Sequence, residues 1–193
     1  MIFVYRIFIN LILIFSPLII LVRLLKKKED LVRFREKLGF FKKNRVKGKL
    51  IWFHGASVGE FQSIVPLLEK LAKSKKISQI LITSNTLSSS KIISKIKLNK
   101  ISHQFFPIDN NLIIKKFVNH WKQSIAFFVD YEIWQNTLIN LNKEKIPTIL
   151  INARITKKSY KKWIKLKNFS QSIFNKFDLC LSSNKETVSF LKK

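Results

Sequence analysis

The sequence predicts an α/β fold, a Rossmann-like doubly wound parallel sheet, preceded by an N-terminal membrane helix. Three observations carry this. Short apolar runs alternate with helical patterns from residue 50 onward, as in a parallel sheet with helices on both faces. The stretch Leu50 to Leu71, LIWFHGASVGEFQSIVPLLEKL, reads as strand, small-residue turn and helix in succession, half of a βαβ unit. Finally, Ile7 to Val22 is almost wholly apolar and leads into Arg23 and Lys26 to Lys28.

Taken in order, residues 1–25 form the anchor. With Ile2 to Tyr5 before it and Leu24-Leu25 after it, the apolar run reaches the ~20 residues that cross a bilayer. Asn10, Ser16 and Pro17 weaken it as a span. The cations behind it, against Arg6 alone in front, orient a single-pass anchor with the remaining chain in the cytoplasm. No small-x-small cleavage site follows, so a retained anchor is favoured over a cleaved signal peptide. The single cysteine, Cys180, agrees with a reducing compartment.

Residues 26–49 form a basic connector in which Leu31, Phe34, Leu38 and Phe41 make an apolar stripe on a short helix. Such a helix either lies on anionic headgroups or is a solvated linker. Residues 50–193 form the Rossmann-like domain. Strands are expected at Leu50 to Phe53, Gln79 to Thr83, Ser102 to Phe106, Ile125 to Val129, Thr148 to Ile151 and Leu179 to Leu181. Helices are expected over Phe61 to Leu71, Ser88 to Lys97, Leu112 to Trp121, Trp134 to Lys145, Lys157 to Phe174 and from Lys185. Pro66 predicts a kink or a late start for the first of them. There is no internal repeat and no low-complexity linker.

Across 193 residues, 37 Lys plus Arg oppose 11 Asp plus Glu, a formal charge of +26. Nucleic acid is set aside as a partner, because the lysines are scattered among Ile, Asn, Phe and Ser and accompany no binding module. The same scatter is what a biased coding composition gives, and an anionic membrane surface is the other partner the charge suggests.

Candidate chemistry gathers where strands end, since ligands of open α/β sheets bind outside the carboxyl ends of strands. In His54-Gly55-Ala56-Ser57-Val58-Gly59-Glu60, small residues let a ligand approach the backbone, and Ser57 and Gly59 sit where helix N–H groups point at it. Glu60, at the start of the helix, is placed either to act as a base or simply to complement the helix dipole. Thr83-Ser84-Asn85-Thr86 can bind an anion or cap a helix. Asp130 and Glu132 follow a fully apolar strand, where a carboxylate needs water, a partner or a ligand. Arg154 offers a planar fork to a carboxylate or phosphate, or pairs with one of those acids.

In order and wording, HGASVGE, TSNT, Pro107-Ile108-Asp109, DYEIWQN and NARIT resemble the N-terminal half of the Kdo transferases, along the whole chain. That family attaches 3-deoxy-D-manno-octulosonic acid (Kdo) to the lipid A precursor of Gram-negative bacteria. The resemblance implies the N-terminal, acceptor-side domain of a GT-B glycosyltransferase, an anchor in the cell inner membrane and an active site on its cytoplasmic face. It implies that Glu60 is the base and that Asp130 stands for the family's second functional acid, one methylene shorter, with Gln135 replacing a proline. It implies substrate-binding roles near Ser57, Gly59 and Arg154, an inverting transfer from CMP-Kdo, and no metal or other cofactor held by the protein.

The family's second domain binds the nucleotide of CMP-Kdo, and nothing in these residues stands for it. The expectation is therefore a chain incomplete without a donor half, either separately encoded or lost. The alternative is a non-catalytic membrane-bound α/β binding domain, or a decayed fragment of such an enzyme.

Overall fold

Six apolar runs pair into one sheet in the computed structural model, which describes residues 2–192. Before the sheet comes α1 (Ile2–Leu25), then a 3₁₀ turn (Arg33–Leu38). The alternation follows as β1 (Leu50–His54), α2 (Val58–Lys73), β2 (Gln79–Ser84), α3 (Leu87–Lys95), β3 (Ile101–Phe105), α4 (Asn111–Trp121) and β4 (Ile125–Val129). It continues as α5 (Gln135–Lys143), β5 (Thr148–Ala153), α6 (Lys157–Ile164), α7 (Lys167–Phe174), β6 (Leu179–Ser182) and α8 (Lys185–Leu191). All neighbours are parallel, in the order β3-β2-β1-β4-β5-β6, the doubly wound Rossmann-like arrangement expected from the sequence.

Burial on both faces explains why the central strands carry no polar alternation. Leu50, Trp52, Leu81 and Phe128 face α4, α5 and α7, where Phe117, Trp121, Leu138 and Ile173 close the layer. Trp52 is its centre, with ring centroids 5.0 Å from Phe117 and 5.3 Å from Phe128. Ile51, Phe53, Ile80 and Ile82 face the other way, against Phe61, Ile64 and Leu68 of α2 and Ile93 of α3. Thr86 caps its helix as the sequence allows, accepting from Ser89 N, and Asn110 caps the next by accepting from Leu112 N and Ile113 N.

Three expectations are corrected. The helix after β1 does not start late: it begins at Val58 and runs through Pro66, whose missing N–H leaves the carbonyl of Gln62 on an exposed face where water can serve it. The single helix expected over Lys157 to Phe174 breaks at Lys165-Leu166. The break lets α7 bury Ser170 and Ile173, whereas α6 buries nothing, and half-buried Trp163 meets Phe174 edge-on at 5.6 Å.

The connector is not a solvated linker: from Arg33 onward it covers the edge of the sheet. Leu31 is exposed, but Phe41 packs edge-on against Phe117 at 5.6 Å. Glu36 accepts from Phe105 N at 2.7 Å, and Arg33 donates to His103 O at 3.0 Å, so outward backbone groups of the edge strand β3 are met. Arg33 and Glu36 in turn pair in a fork at 2.8 and 2.9 Å.

Helix α1 is docked on the domain. Tyr5 donates to Asp109 Oδ2 at 2.6 Å, Arg6 to Asn136 Oδ1 at 3.2 Å, and Asn110 to Asn10 Oδ1 at 2.8 Å. At its other end Arg23 pairs with Glu29 at 2.9 Å, and Lys37 ties Glu29 to Asn85 O. Ser16 donates to Leu13 O at 2.7 Å, the carbonyl that Pro17 leaves without a helical partner.

Phe128→Ala, in the layer under Trp52, is expected to lower stability by about 3–5 kcal/mol in urea unfolding of the detergent-solubilised chain. Leu31→Ala, at an exposed position of the connector, is expected to stay within about 0.5 kcal/mol of the natural sequence.

Candidate active site

Strand β1 ends in a turn built around one carboxylate. Glu60 accepts from Ala56 N at 2.7 Å and from Ser57 N at 3.2 Å, while Ser57 Oγ accepts from Glu60 N at 3.3 Å. This is a capping box, closing donors that the first turn of α2 would otherwise leave open. Gly55 makes it possible: a Cβ there would lie 3.1 Å from both Glu60 Oε2 and the Phe61 ring. At Gly59 an added Cβ would meet nothing within 4 Å, so the space over the start of α2 is open. Ser89 fastens the turn to α3 by donating to Ala56 O at 2.7 Å. Each oxygen of an ionised carboxylate has two lone-pair directions, so Glu60 serves its cap and keeps acceptor capacity toward the half-exposed side of the turn.

The second carboxylate site follows β4. Asp130 sits in the left-handed region with φ 63°, a conformation that Asp tolerates better than most side chains, and its N–H donates to Ile151 O at 2.9 Å. Its carboxyl is raised above the ordinary range by partial burial and by the charge of Glu132, against the opposing pull of Arg154. Arg154 itself is exposed and forms no ion pair within 4 Å among the described residues. Thus Ser57, Gly59 and Glu60 share one turn, Asp130 and Arg154 share an electrostatic neighbourhood after the adjacent strands β4 and β5, and both groups lie along the carboxyl edge.

Between these turns runs a buried polar chain that singling out exposed candidates in the sequence missed. His54, fully buried at the end of β1, places Nε2 3.2 Å from Glu132 Oε2 and Nδ1 2.9 Å from Thr83 Oγ1. Trp134 Nε1 donates to the same Glu132 oxygen at 2.8 Å, and Trp52 Nε1 donates to Thr83 Oγ1 at 2.9 Å. An ionised carboxylate only accepts, so the contact with Glu132 places a proton on Nε2, while Nδ1 faces both the Thr83 hydroxyl and, at 3.3 Å, the Thr83 carbonyl. The imidazole also stacks on Phe106 with centroids 4.0 Å apart. Burial pushes the Glu132 carboxyl up, but the hydrogen bond and charge of His54 and the Trp134 indole outweigh it and hold Glu132 below its usual value. The available signal was a lone histidine closing an otherwise apolar strand. In the hydroxyl-rich TSNT turn, Thr83 and Ser84 are buried, their hydroxyls bonded to Trp52, His54 and His103, and Thr86 is a cap.

A carboxyl held below its ordinary 4.5 contributes stability that is present above that pH and is lost as pH falls through the lowered value. Glu132→Gln is expected to cost about 1.5–3 kcal/mol at pH 7, the range for a hydrogen bond to a charged group. The gap from the natural sequence should narrow below about pH 4.5 in urea titrations run at a series of pH values.

A sequence model of the 3-deoxy-D-manno-octulosonic-acid transferase (kdotransferase) family matches residues 32–193. The chain is 38% identical over 174 residues to the 3-deoxy-D-manno-octulosonic acid transferase of Rickettsia bellii, covering 89% of this chain and 41% of that protein. It is 35% identical over 165 residues to a probable mitochondrial 3-deoxy-D-manno-octulosonic acid transferase of Arabidopsis thaliana, covering 84% and 37%. The chain thus spans about two fifths of the length of these relatives. Among solved structures, a UDP-N-acetylglucosamine 2-epimerase superposes with a TM-score of 0.54 at 13% identity over 76% of this chain and 45% of the other, a likeness of fold. With the match extending from the connector through the whole sheet, the chain belongs to the 3-deoxy-D-manno-octulosonic-acid transferase family.

Proposed function

We propose that this chain is the acceptor-side half of a glycosyltransferase that moves Kdo from CMP-Kdo to the lipid A precursor (lipid IVA) in lipopolysaccharide core biosynthesis. The observation that carries the reading is Glu60, fixed by its own turn at the carboxyl edge beside open space, within a chain of this family. Glu60 takes the proton from the acceptor's primary hydroxyl as that oxygen attacks the anomeric carbon of Kdo; CMP leaves and the configuration inverts. The capping N–H groups hold the base in place before the acceptor arrives, so little reorganisation is needed at the moment of transfer. Asp130 supports the acceptor or the developing charge. Arg154, unpaired within 4 Å among the described residues, offers its fork to a phosphate of the bisphosphorylated acceptor. Ser57 and Gly59 line the approach.

Donor binding belongs to a C-terminal GT-B domain outside these residues, supplied by further chain or by a separate polypeptide. The site works on the cytoplasmic face of the inner membrane, where α1 holds the domain beside its lipid substrate and the positive charge concentrates anionic headgroups. One observation favours a second reading. The capping box gives Glu60 a structural task, and if that is its whole task the chain is a non-catalytic membrane-bound binding domain.

Glu60→Gln separates the two, because glutamine also serves a capping box yet cannot take the proton. With a donor-binding half supplied, Kdo transfer to lipid IVA is expected to fall by about 10²–10⁴-fold in kcat while the urea midpoint barely moves. Ser57→Ala should do the reverse, costing about 1 kcal/mol of stability with smaller loss of rate. Retention of more than about a tenth of the rate by Glu60→Gln would remove the base from this residue. Asp130→Asn is expected to lose less rate than Glu60→Gln. Asp130→Glu should keep the rate at some cost in stability, of the order of 1 kcal/mol or more, because the left-handed backbone at Asp130 disfavours the longer side chain.

A further inference from the structure

The polar contacts of α1 fall on one face of the helix and the exposed apolar residues on the other. At 100° per residue, Ile2, Tyr5, Arg6, Ile9, Asn10, Ser16, Ile20 and Arg23 cluster on a single side. Of these, Ile9, Ser16 and Ile20 are buried, and Tyr5, Arg6, Asn10 and Arg23 are bonded to the domain and the connector. The opposite side carries Val4, Ile7, Leu11, Ile14, Leu18 and Leu25 from end to end, with Ile14 68%, Leu18 61% and Leu25 75% exposed.

A spanning helix must leave its domain to cross roughly 30 Å of hydrocarbon. This one does not leave. Its first turns are tied to Asp109 and Asn136, and its last turn, some 30 Å further along the axis, is tied through Glu29 and Lys37 to Asn85. Asp109, Asn136 and Asn85 all lie beyond the carboxyl ends of strands, so α1 runs along the edge that carries Glu60 and Asp130. To span, the helix would have to draw the charged and amide groups of that edge into the hydrocarbon or break four separate attachments.

We propose that α1 lies in the plane of the membrane, with its outer face sunk into the acyl layer of one leaflet and both ends on the same side. The occupant of the apolar face is an anionic phospholipid leaflet. The stripe is continuous over the helix, and exposed Lys26, Lys27 and Lys28 follow it directly, where they meet headgroups. The proposal rests on the membrane placement given above but not on the chemistry. It deepens that reading, because an in-plane helix sets the carboxyl edge at headgroup level, where a glycolipid presents its sugar.

Depth measurement by spin labels tests it. Single cysteines are placed at Phe3, Phe8, Phe15, Val22 and Leu25 in a Cys180→Ser background of the full chain, bound to vesicles containing phosphatidylglycerol. The expected result is one shallow depth, about 5–10 Å below the headgroups, at every labelled position along the helix. A V-shaped profile, deepest at Phe15 and shallow at Phe3 and Leu25, would overturn the in-plane arrangement in favour of a span. Labels that sense no lipid at any position, with the chain sedimenting as a dimer, would overturn the proposal and the membrane placement together. A second readout uses epitope tags at both termini in sealed cells. Both tags are expected to resist external protease, and cleavage of the N-terminal tag alone would show that the helix crosses. Neither readout depends on Kdo transfer, so failure of the enzymatic reading leaves these outcomes intact.

Discussion

Asp109 is buried, and four protein donors satisfy its carboxylate. The Tyr5 hydroxyl and Asn136 N–H reach one carboxylate oxygen, and the Thr137 N–H and hydroxyl reach the other, at 2.6 to 2.9 Å. Burial pushes the carboxyl up and the hydrogen bonds pull the other way, leaving it raised to about 6. Through this one residue the β3–α4 loop, the N-terminus of α5 and the first turns of α1 are joined. Asn136 returns the contact by donating to Asp109 O at 2.6 Å. A buried ionised group with a partner removed costs several kcal/mol. These elements are therefore held as a unit, and the carboxyl edge inherits its shape from that unit.

Much of the sheet was legible because its strands are buried on both faces and read as unbroken apolar runs. LIWF, QILIT and IAFFV needed no tertiary information. Helix starts were legible wherever a Ser, Thr or Asn stood at the right place. The break at Lys165-Leu166 was not, because no Gly or Pro marks it and the rings of Trp163, Phe169 and Phe174 meet only once α7 folds back beside α6. The connector was misread for a related reason. Its charges look solvated in the sequence, but Arg33, Glu36 and Lys37 are spent on backbone groups of a strand edge some 70 residues away and on a loop near Asn85.

The candidate site divides in the same way. Ser57, Gly59 and Glu60 are contiguous, so their shared turn could be read directly. His54, Thr83 and Glu132 come from three separate strand ends and become one network only when β1 lies between β2 and β4. At Asp130 the backbone is left-handed, where a short acidic side chain that can bond locally is under less strain than a longer one.

The capping box at the start of α2 has a consequence for timing. An N–H donor and an incoming proton compete for the same electron pairs on Glu60, so a carboxyl that has just accepted a proton is a poorer partner for Ala56 and Ser57. If Glu60 serves as the base, the first turn of the helix is tightest before the reaction and slackest immediately after it. The turn would then loosen around product and tighten again only once the proton has left for solvent, so that a local folding element keeps the site's clock.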